Sequence, residues 1–487
     1  MKKITTIITV LSILLLASCE DFLEVKPSNY AAAETSITNE ADAEVAINGL
    51  MRKMTSSSYY GRNFVIYGDA KGGDFALRSQ GRGLDALYTF NHSATSNSYS
   101  GFWSQIYHNI LQANNLLANI AKIEEAGNAT DDLNEFKGQA LTARALMYFD
   151  LVRMYGKPYN MDKASFGVPL ILEPLDASAQ PTRASVEAVY GQIMDDLTEG
   201  APLLSTSAED GYLNYYANLA LQARVNLFME NYTAALADAE EIINDGPYSL
   251  YSNEEWVDSW SNEFGSESIF ELGIYPDEAD LGSGSLGFYL LRLGTVKNAM
   301  GWFMASDYWI TRMSEDLTDV RWGIMDYDES STERFGSCRK YAGVDLAGDK
   351  GSTSAVNVKL IRLSEIYLIA AESALGLPTP DRVKAASYLN EIRKRSPGLA
   401  PADETTVTLD MIMDEKSKEL FAEGHRYFDM LRLNRTIEFN DEFITPAVVI
   451  IHRDKTITRD FYKIILPISQ TELDANPAIA SQQNPGY

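Results

Sequence analysis

ALQARVNLFMENYTAALADAEEIINDGPYSL, residues 220–250, reads as two amphipathic helical runs broken near Glu230 and Asn231. Ala223, Tyr232, Ala235 and Pro247 stand at the separations of a helix-pair repeat, in which small residues sit where two helices cross. Ala239 occupies a position where an aromatic is usual, so the agreement is partial. Helix pairs therefore set the fold class, and the rest of the chain can be tested against that reading.

A looser echo of the same tetratricopeptide pattern follows in LIRLSEIYLIAAESALG (360–376) and DRVKAASYLNEIRKR (381–395). Two imperfect units leave unrelated antiparallel helix pairs open as the alternative. Upstream, Ala43, Ile47, Leu50 and Met54 predict a helix over 39–54. Trp103, Ile106, Ile110, Ala113 and Leu117 predict one over 102–123, and Leu141, Ala145, Tyr148, Val152 and Tyr155 one over 133–155. These two should pack antiparallel. Further helices are expected at 185–197, 215–229, 232–245, 358–375, 381–395 and 409–434, with only short strand-like runs such as 268–275 and 462–468. Residues 55–100, rich in Ser, Gly, Asn and Tyr, read as a long loop region, and 250–355 as an irregular subregion too long for a simple connection.

The 487 residues are 45% hydrophobic and 22% charged, ample material for a large core. Lys and Arg number 41 against 68 Asp and Glu, a net charge of -27, and no basic run offers a surface for nucleic acid. Cys19 and Cys338 lie far apart and outside any metal-ligand spacing, so neither a disulfide framework nor a zinc site is expected. Lys2 and Lys3, then the mostly apolar run from Ile4 to Leu16, form a signal peptide over 1–18 that is too short for a membrane span. Leu16-Ala17-Ser18-Cys19 resembles the lipobox at which bacterial lipoproteins are cleaved and lipidated on the cysteine. The expected mature chain starts at Cys19, tethered to a membrane by acyl chains.

Catalytic signatures are sparse. Gly282-Ser283-Gly284-Ser285-Leu286-Gly287 fits a dinucleotide-binding string, but the acidic 276–280 segment before it and the lack of βαβ alternation make it a flexible glycine loop. The four histidines, His92, His108, His425 and His452, form no metal-binding pair, and no GxSxG nucleophile elbow is present. Among 68 acidic residues, a carboxylate pair for glycoside hydrolysis is not testable from sequence. Within 415–432, Leu420, Phe421, Phe428 and Leu431 should share one helix face while Glu423, Arg426 and Asp429 pair along another. Trp256, Trp260, Trp302, Trp309 and Trp322 all fall in the irregular subregion. Rings on loops suit the apolar face of a neutral sugar, with Asp, Asn and Arg bonding its hydroxyls; the alternative is a satellite core beneath the loops.

The stretches LLASCEDFLEVKPSN (15–29), FWSQIYHNILQANNLLANI (102–120), GQALTARALMYFDLVRMYG (138–156), GVPLIL (167–172) and TRASVEAVYGQIMDDL (182–197) resemble, in order and spacing, the SusD/RagB family of Bacteroidetes outer-membrane lipoproteins. The likeness continues through the helix pair 220–243, LIRLSEIYLIAAESAL, LNEIRKR, ELFAEGHRYFDMLR (419–432), YKIILPISQTEL (462–473) and the closing QNPGY. Glu415-Lys416-Ser417 departs from the Glu-Arg-Arg frequent in the family, a change that touches helix pairing. The resemblance implies a mainly α fold of four tetratricopeptide-like helix pairs with a large loop-rich subregion. It implies one domain over 19–487, with an N-terminal part to about 230 and a C-terminal part from about 250. The implied protein sits on the outer membrane at the cell surface, where Glu20-Asp21 is similar to the family's export signal, and caps a SusC-like TonB-dependent transporter. Family members bind glycans, and some bind peptides, without changing them, so no catalytic residue, cofactor or metal is expected. Binding residues vary within the family and do not carry over by motif. From position and chemistry, Asp69, Asp74 and Arg78 are expected as polar ligand contacts, with Tyr289, Trp302 and Trp309 as stacking platforms. A peptide-binding subunit and a surface glycoside hydrolase are the alternatives.

Overall fold

Thr130 starts a 25-residue helix by accepting a hydrogen bond from the Leu133 amide, with Asp131 and Asp132 in the first turn complementing the helix dipole. The computed structural model describes residues 37–77, 85–95, 100–175, 178–275, 284–291, 299–327, 334–342, 355–440 and 454–487. The signal peptide, Cys19, Glu20-Asp21, Arg78, His452 and Gly282-Ser283 of the glycine string lie outside the described residues.

The described chain is mainly helical. Helix α1 (Glu40–Met54) leads to α2 (Asn63–Ala70), and the long helices α3 (Ser100–Glu125) and α4 (Asp131–Tyr155) fold back on each other. Every residue of α4 from Gly138 to Val152 is buried, because α1, α3 and α5 (Val186–Gly200) all pack around it. Asn214 caps α6 (Tyr215–Phe228), which pairs with α7 (Tyr232–Asp245). Ala220, Ala223, Ala235 and Ala239 are fully buried in this pair, so the small residue at 239 permits close approach where an aromatic would not. The array continues after an intervening short helix, α8 (Asp307–Met313): α7 packs on α9 (Leu363–Gly376), and α9 on α10 (Arg382–Arg393). Helices α11 (Leu409–Glu419) and α12 (Arg426–Arg432) close the C-terminal side.

Strands come in antiparallel pairs that stitch the irregular subregion to the helices. β1 (Phe75–Leu77) pairs with β3 (Phe303–Ala305), and β2 (Ser268–Leu272) with β6 (Val358–Arg362). β4 (Met325–Tyr327) pairs with β5 (Phe335–Cys338), and β7 (Ile437–Glu438) with β8 (Thr456–Ile457). One continuous apolar cluster runs through both halves of the chain, from Ile37 to Ile479.

Four expectations are corrected. The loop region 55–100 contains α2 and β1, whose residues are almost all buried. The helix expected at 358–375 begins only at Leu363, because 358–362 is taken up as a strand by β2. The helix expected over 409–434 is interrupted after Glu419, where Ala422 (φ 66°) and Gly424 (φ 88°) turn the chain. The strand-like run 462–468 starts as a 3-10 turn at Tyr462–Ile464 and then ties to the end of α4 through a Leu466 amide bond to the Met154 carbonyl.

Candidate functional site

Asp69, at the end of α2, is 3% exposed and serves the turn before α12. Its Oδ2 accepts from the Gly424 amide at 2.8 Å, and its Oδ1 from the His425 and Arg426 amides at 3.2 and 3.1 Å. Burial pushes this carboxyl up to about 7, against the pull of the Gly424 and Arg426 amides. Asp74 is equally buried and meets Arg312 Nη1 at 3.0 Å, the Ser417 hydroxyl at 2.5 Å and Arg426 Nε at 3.3 Å. Trp309 on α8 is fully buried, donates its indole N–H to the Ser417 carbonyl at 3.0 Å and lies 4.3 Å from the Phe421 ring. The structure thus brings Asp74 and Trp309 together at Ser417. Asp69, Asp74 and Trp309, expected as ligand contacts, are buried here with protein partners on their polar atoms. Arg78 lies outside the described residues.

Tyr289 and Trp302 form a second group, with ring centroids 5.1 Å apart and planes at 69°. The Trp302 amide donates to the Tyr289 carbonyl at 2.8 Å, and the Arg62 guanidinium lies 5.3 Å from the Tyr289 ring centroid. Both rings are mostly buried, Tyr289 to 7% and Trp302 to 3% exposure. The remaining tryptophans of the subregion pack beneath its loops: Trp256 donates to Glu419 at 3.2 Å, Trp260 lies edge-on to Trp256, and Trp322 donates to the Asp316 carbonyl at 3.2 Å. Four of the five tryptophans thus belong to the main apolar core, and Trp322 packs against it.

The 415–432 segment is a hub of buried ion pairs, but not the one its spacing predicts. Glu423 pairs with Lys340 at 2.6 Å and Arg362 at 2.7 Å, and Asp429 with Lys416 at 2.9 Å and Arg432 at 2.7 Å. The turn at 420–425 separates Glu423 from a common helix face with Arg426 and Asp429, so each finds partners on other elements. Arg321 joins Asp319 at 2.7 Å and Glu415 at 2.6 Å. Burial opposes ionisation of Glu419, yet Arg362, Arg395, Arg321 and Lys340 hold it down at about 2. At the family departure, the Ser417 hydroxyl and Arg312 together meet Asp74. Among the described residues, no group of three or more His, Cys, Asp or Glu is arranged to hold a metal ion, and no helix is long and apolar enough to cross a membrane.

Sequence reasoning missed a cleft of about 240 Å³. Its walls come from the last turns of α1 (Asn48, Met51, Arg52) with Thr55, from 210–212, from Phe264, and from the end of β2 through Tyr275. Met51 and Leu272 are buried, while Asn48, Asp210 and Tyr275 are exposed. The Tyr212 hydroxyl donates to the Asn48 side chain, and Arg52 donates to the Thr55 hydroxyl at 2.8 Å. Four separate segments converge here, so no local motif marks it; in the sequence Tyr275 is read only as the end of the strand-like run 268–275.

Two family models match the chain in order: one described as starch-binding and associating with the outer membrane, over residues 21–227, and the SusD family, over residues 307–487. A crystal structure of a SusD superfamily protein from Bacteroides thetaiotaomicron is 34% identical, with a TM-score of 0.83, covering 92% of this chain and 100% of the other. A SusD superfamily protein from Bacteroides vulgatus is 33% identical, with a TM-score of 0.84, covering 93% and 100%. A structure described as a laminarin-binding SusD-like protein shares the fold at 22% identity, with a TM-score of 0.71, covering 93% of this chain and 100% of the other. A SusD-like protein of Formosa agariphila is 26% identical over the whole of both chains.

Proposed function

The chain belongs to the SusD superfamily, whose members are binding proteins and not enzymes, and from that membership we propose a surface lipoprotein that captures oligosaccharide or polysaccharide and delivers it to a SusC-like TonB-dependent transporter. The observation that carries this reading is the ordered match of both halves of the chain to the family, one half under a starch-binding, outer-membrane description. The laminarin-binding neighbour, alike in fold, supports a glycan as the ligand class. Cys19, following Leu16-Ala17-Ser18, is the proposed lipidation site, and Glu20-Asp21 the surface-export signal. Within the loop-rich subregion, Tyr289 and Trp302 with Arg62 are the proposed ring platform. Asp69 holds the 424–426 backbone, Asp74 and Trp309 hold Ser417, and Arg78, next after β1 in the sequence, is a proposed polar contact.

Calorimetry tests the reading directly. The full chain in mild detergent would be titrated with neutral hexasaccharides, including laminarihexaose and maltohexaose, and with short peptides, followed by chromatography of the recovered ligand. Saturable binding of an unaltered glycan is expected. Binding of peptides alone would move the protein to a peptide-uptake role, and shortened glycan products would overturn the binding-only reading. Delivery is tested by copurification: a TonB-dependent transporter should come down with the tagged lipoprotein from outer membranes, and its absence would count against the partner.

A further inference from the structure

Three aromatic rings, Tyr212, Phe264 and Tyr275, share the lining of the cleft at the end of α1. Tyr275 is 48% exposed, so its ring stands at the rim and not in the core. Two glycines make that arrangement possible. Gly211 has φ of 85°, a backbone conformation in which any side chain is strained, and a Cβ there would lie 3.9 Å from the Phe264 ring. A Cβ on Gly273 would stand 3.0 Å from the Tyr275 ring, tighter than ordinary contact, so the glycine lets this ring fold back over the strand end.

Charge narrows the occupant. The lining holds one cation, Arg52, and one carboxylate, Asp210, beside the uncharged Asn48, Thr55 and Tyr212. Donors and acceptors are thus both present with no net charge, on a chain whose overall charge is -27. An anionic ligand would find a single guanidinium already donating to Thr55. A neutral ring with hydroxyls on its edge and C–H groups on its face matches the mixture of aromatic faces and small polar groups. The volume, about 240 Å³, falls below the roughly 300–1,000 Å³ of a pocket that encloses a whole small ligand. It fits one end of a longer chain.

We propose that this cleft docks the terminal residue of a neutral oligosaccharide, with Tyr275 as the stacking ring and Asn48, Arg52 and Asp210 bonding the hydroxyls. The proposal rests on the glycan-binding reading above and assigns it a site.

The test compares the full wild-type chain with Tyr275→Ala and Tyr275→Phe in titrations with laminarihexaose and maltohexaose. Tyr275→Ala should weaken binding about tenfold, and Tyr275→Phe, which keeps the ring, should stay within about twofold of wild type. In parallel, hydroxyl-radical footprinting of the wild-type chain should show Tyr275 and Tyr212 protected when the hexasaccharide is bound, a readout independent of any variant's folding. Wild-type binding with unchanged affinity in Tyr275→Ala, or with no protection of these tyrosines, overturns the site while leaving the glycan-binding function standing. Failure of the wild-type chain to bind any neutral hexasaccharide overturns both.

Discussion

Arg362, with a side chain 4% exposed, holds three carboxylates: Glu267 at 2.9 Å, Glu419 at 3.2 Å and Glu423 at 2.7 Å. Removing the cation would leave those carboxylates desolvated beside one another, with Arg395, Arg321 and Lys340 as the remaining partners. Arg362→Met should therefore destabilise the fold by about 3–5 kcal/mol, the range for breaking a buried ion pair from one side, read as a shift of the urea midpoint. Protonation tells two carboxyls apart. Glu419 is held at about 2, so its contribution is present above the ordinary carboxylate range and is lost as pH falls toward 2. Asp69 runs the other way: its folded value, about 7, lies above the ordinary 3.8, so the folded state binds the extra proton between those values. Its contribution is complete below pH 3.8 and is lost as pH rises through about 7. Asp69→Asn, which cannot ionise, should flatten the fall in stability from pH 4.5 to 7.5 seen in the wild type; urea titrations at four pH values would show it, and an unchanged slope would reject the assignment.

At the scale of elements, α2 and the turn before α12 touch backbone to backbone. A Cβ on Gly68 would stand 2.0 Å from the Gly424 carbonyl oxygen, and neither side of that contact has a flexible side chain to yield. Gly68→Ala should then cost about 3 kcal/mol, the upper part of the usual overpacking range, measured by thermal or urea unfolding. A cost below 1 kcal/mol would mean that the turn moves freely. This contact also explains which elements were legible in the sequence. α1, α3, α4, α6, α7 and α10 follow from apolar spacing, because each buries a face or a whole surface against its own neighbours in the array. The interruption at 420–425 does not, since it is imposed by α2, more than 350 residues away. The partners that bury the tryptophans are hidden from the sequence for the same reason: Trp309 meets Ser417 and Phe421, and Trp256 meets Glu419, residues that no local window contains. The cleft needs four separate segments, so no single stretch of sequence announces it.

Across the whole molecule, 68 acidic residues against 41 basic ones set a negative field that any ligand meets before it meets a side chain. Much of the positive charge is turned inward: Arg144, Arg224, Arg321, Arg362, Arg395, Arg432 and Lys340 are all buried in ion pairs with carboxylates. Those pairs neutralise carboxylates inside the protein, so the exposed balance stays acidic. A neutral oligosaccharide feels little of this field, whereas an anionic one of equal length must approach against it. Salt separates the two cases, because exposed charges farther apart than about 10 Å are largely screened at 0.1 M ionic strength. Affinity for maltohexaose or laminarihexaose should change less than twofold between 20 and 500 mM NaCl, about those limits being wide enough to span the screening range. A uronic-acid hexasaccharide should bind more weakly than either at low salt and gain affinity as salt rises, which titration calorimetry at each salt concentration would measure. Tighter binding of the uronic-acid chain at low salt, weakening as salt is added, would instead require a segregated positive surface that overrides the average charge of the chain.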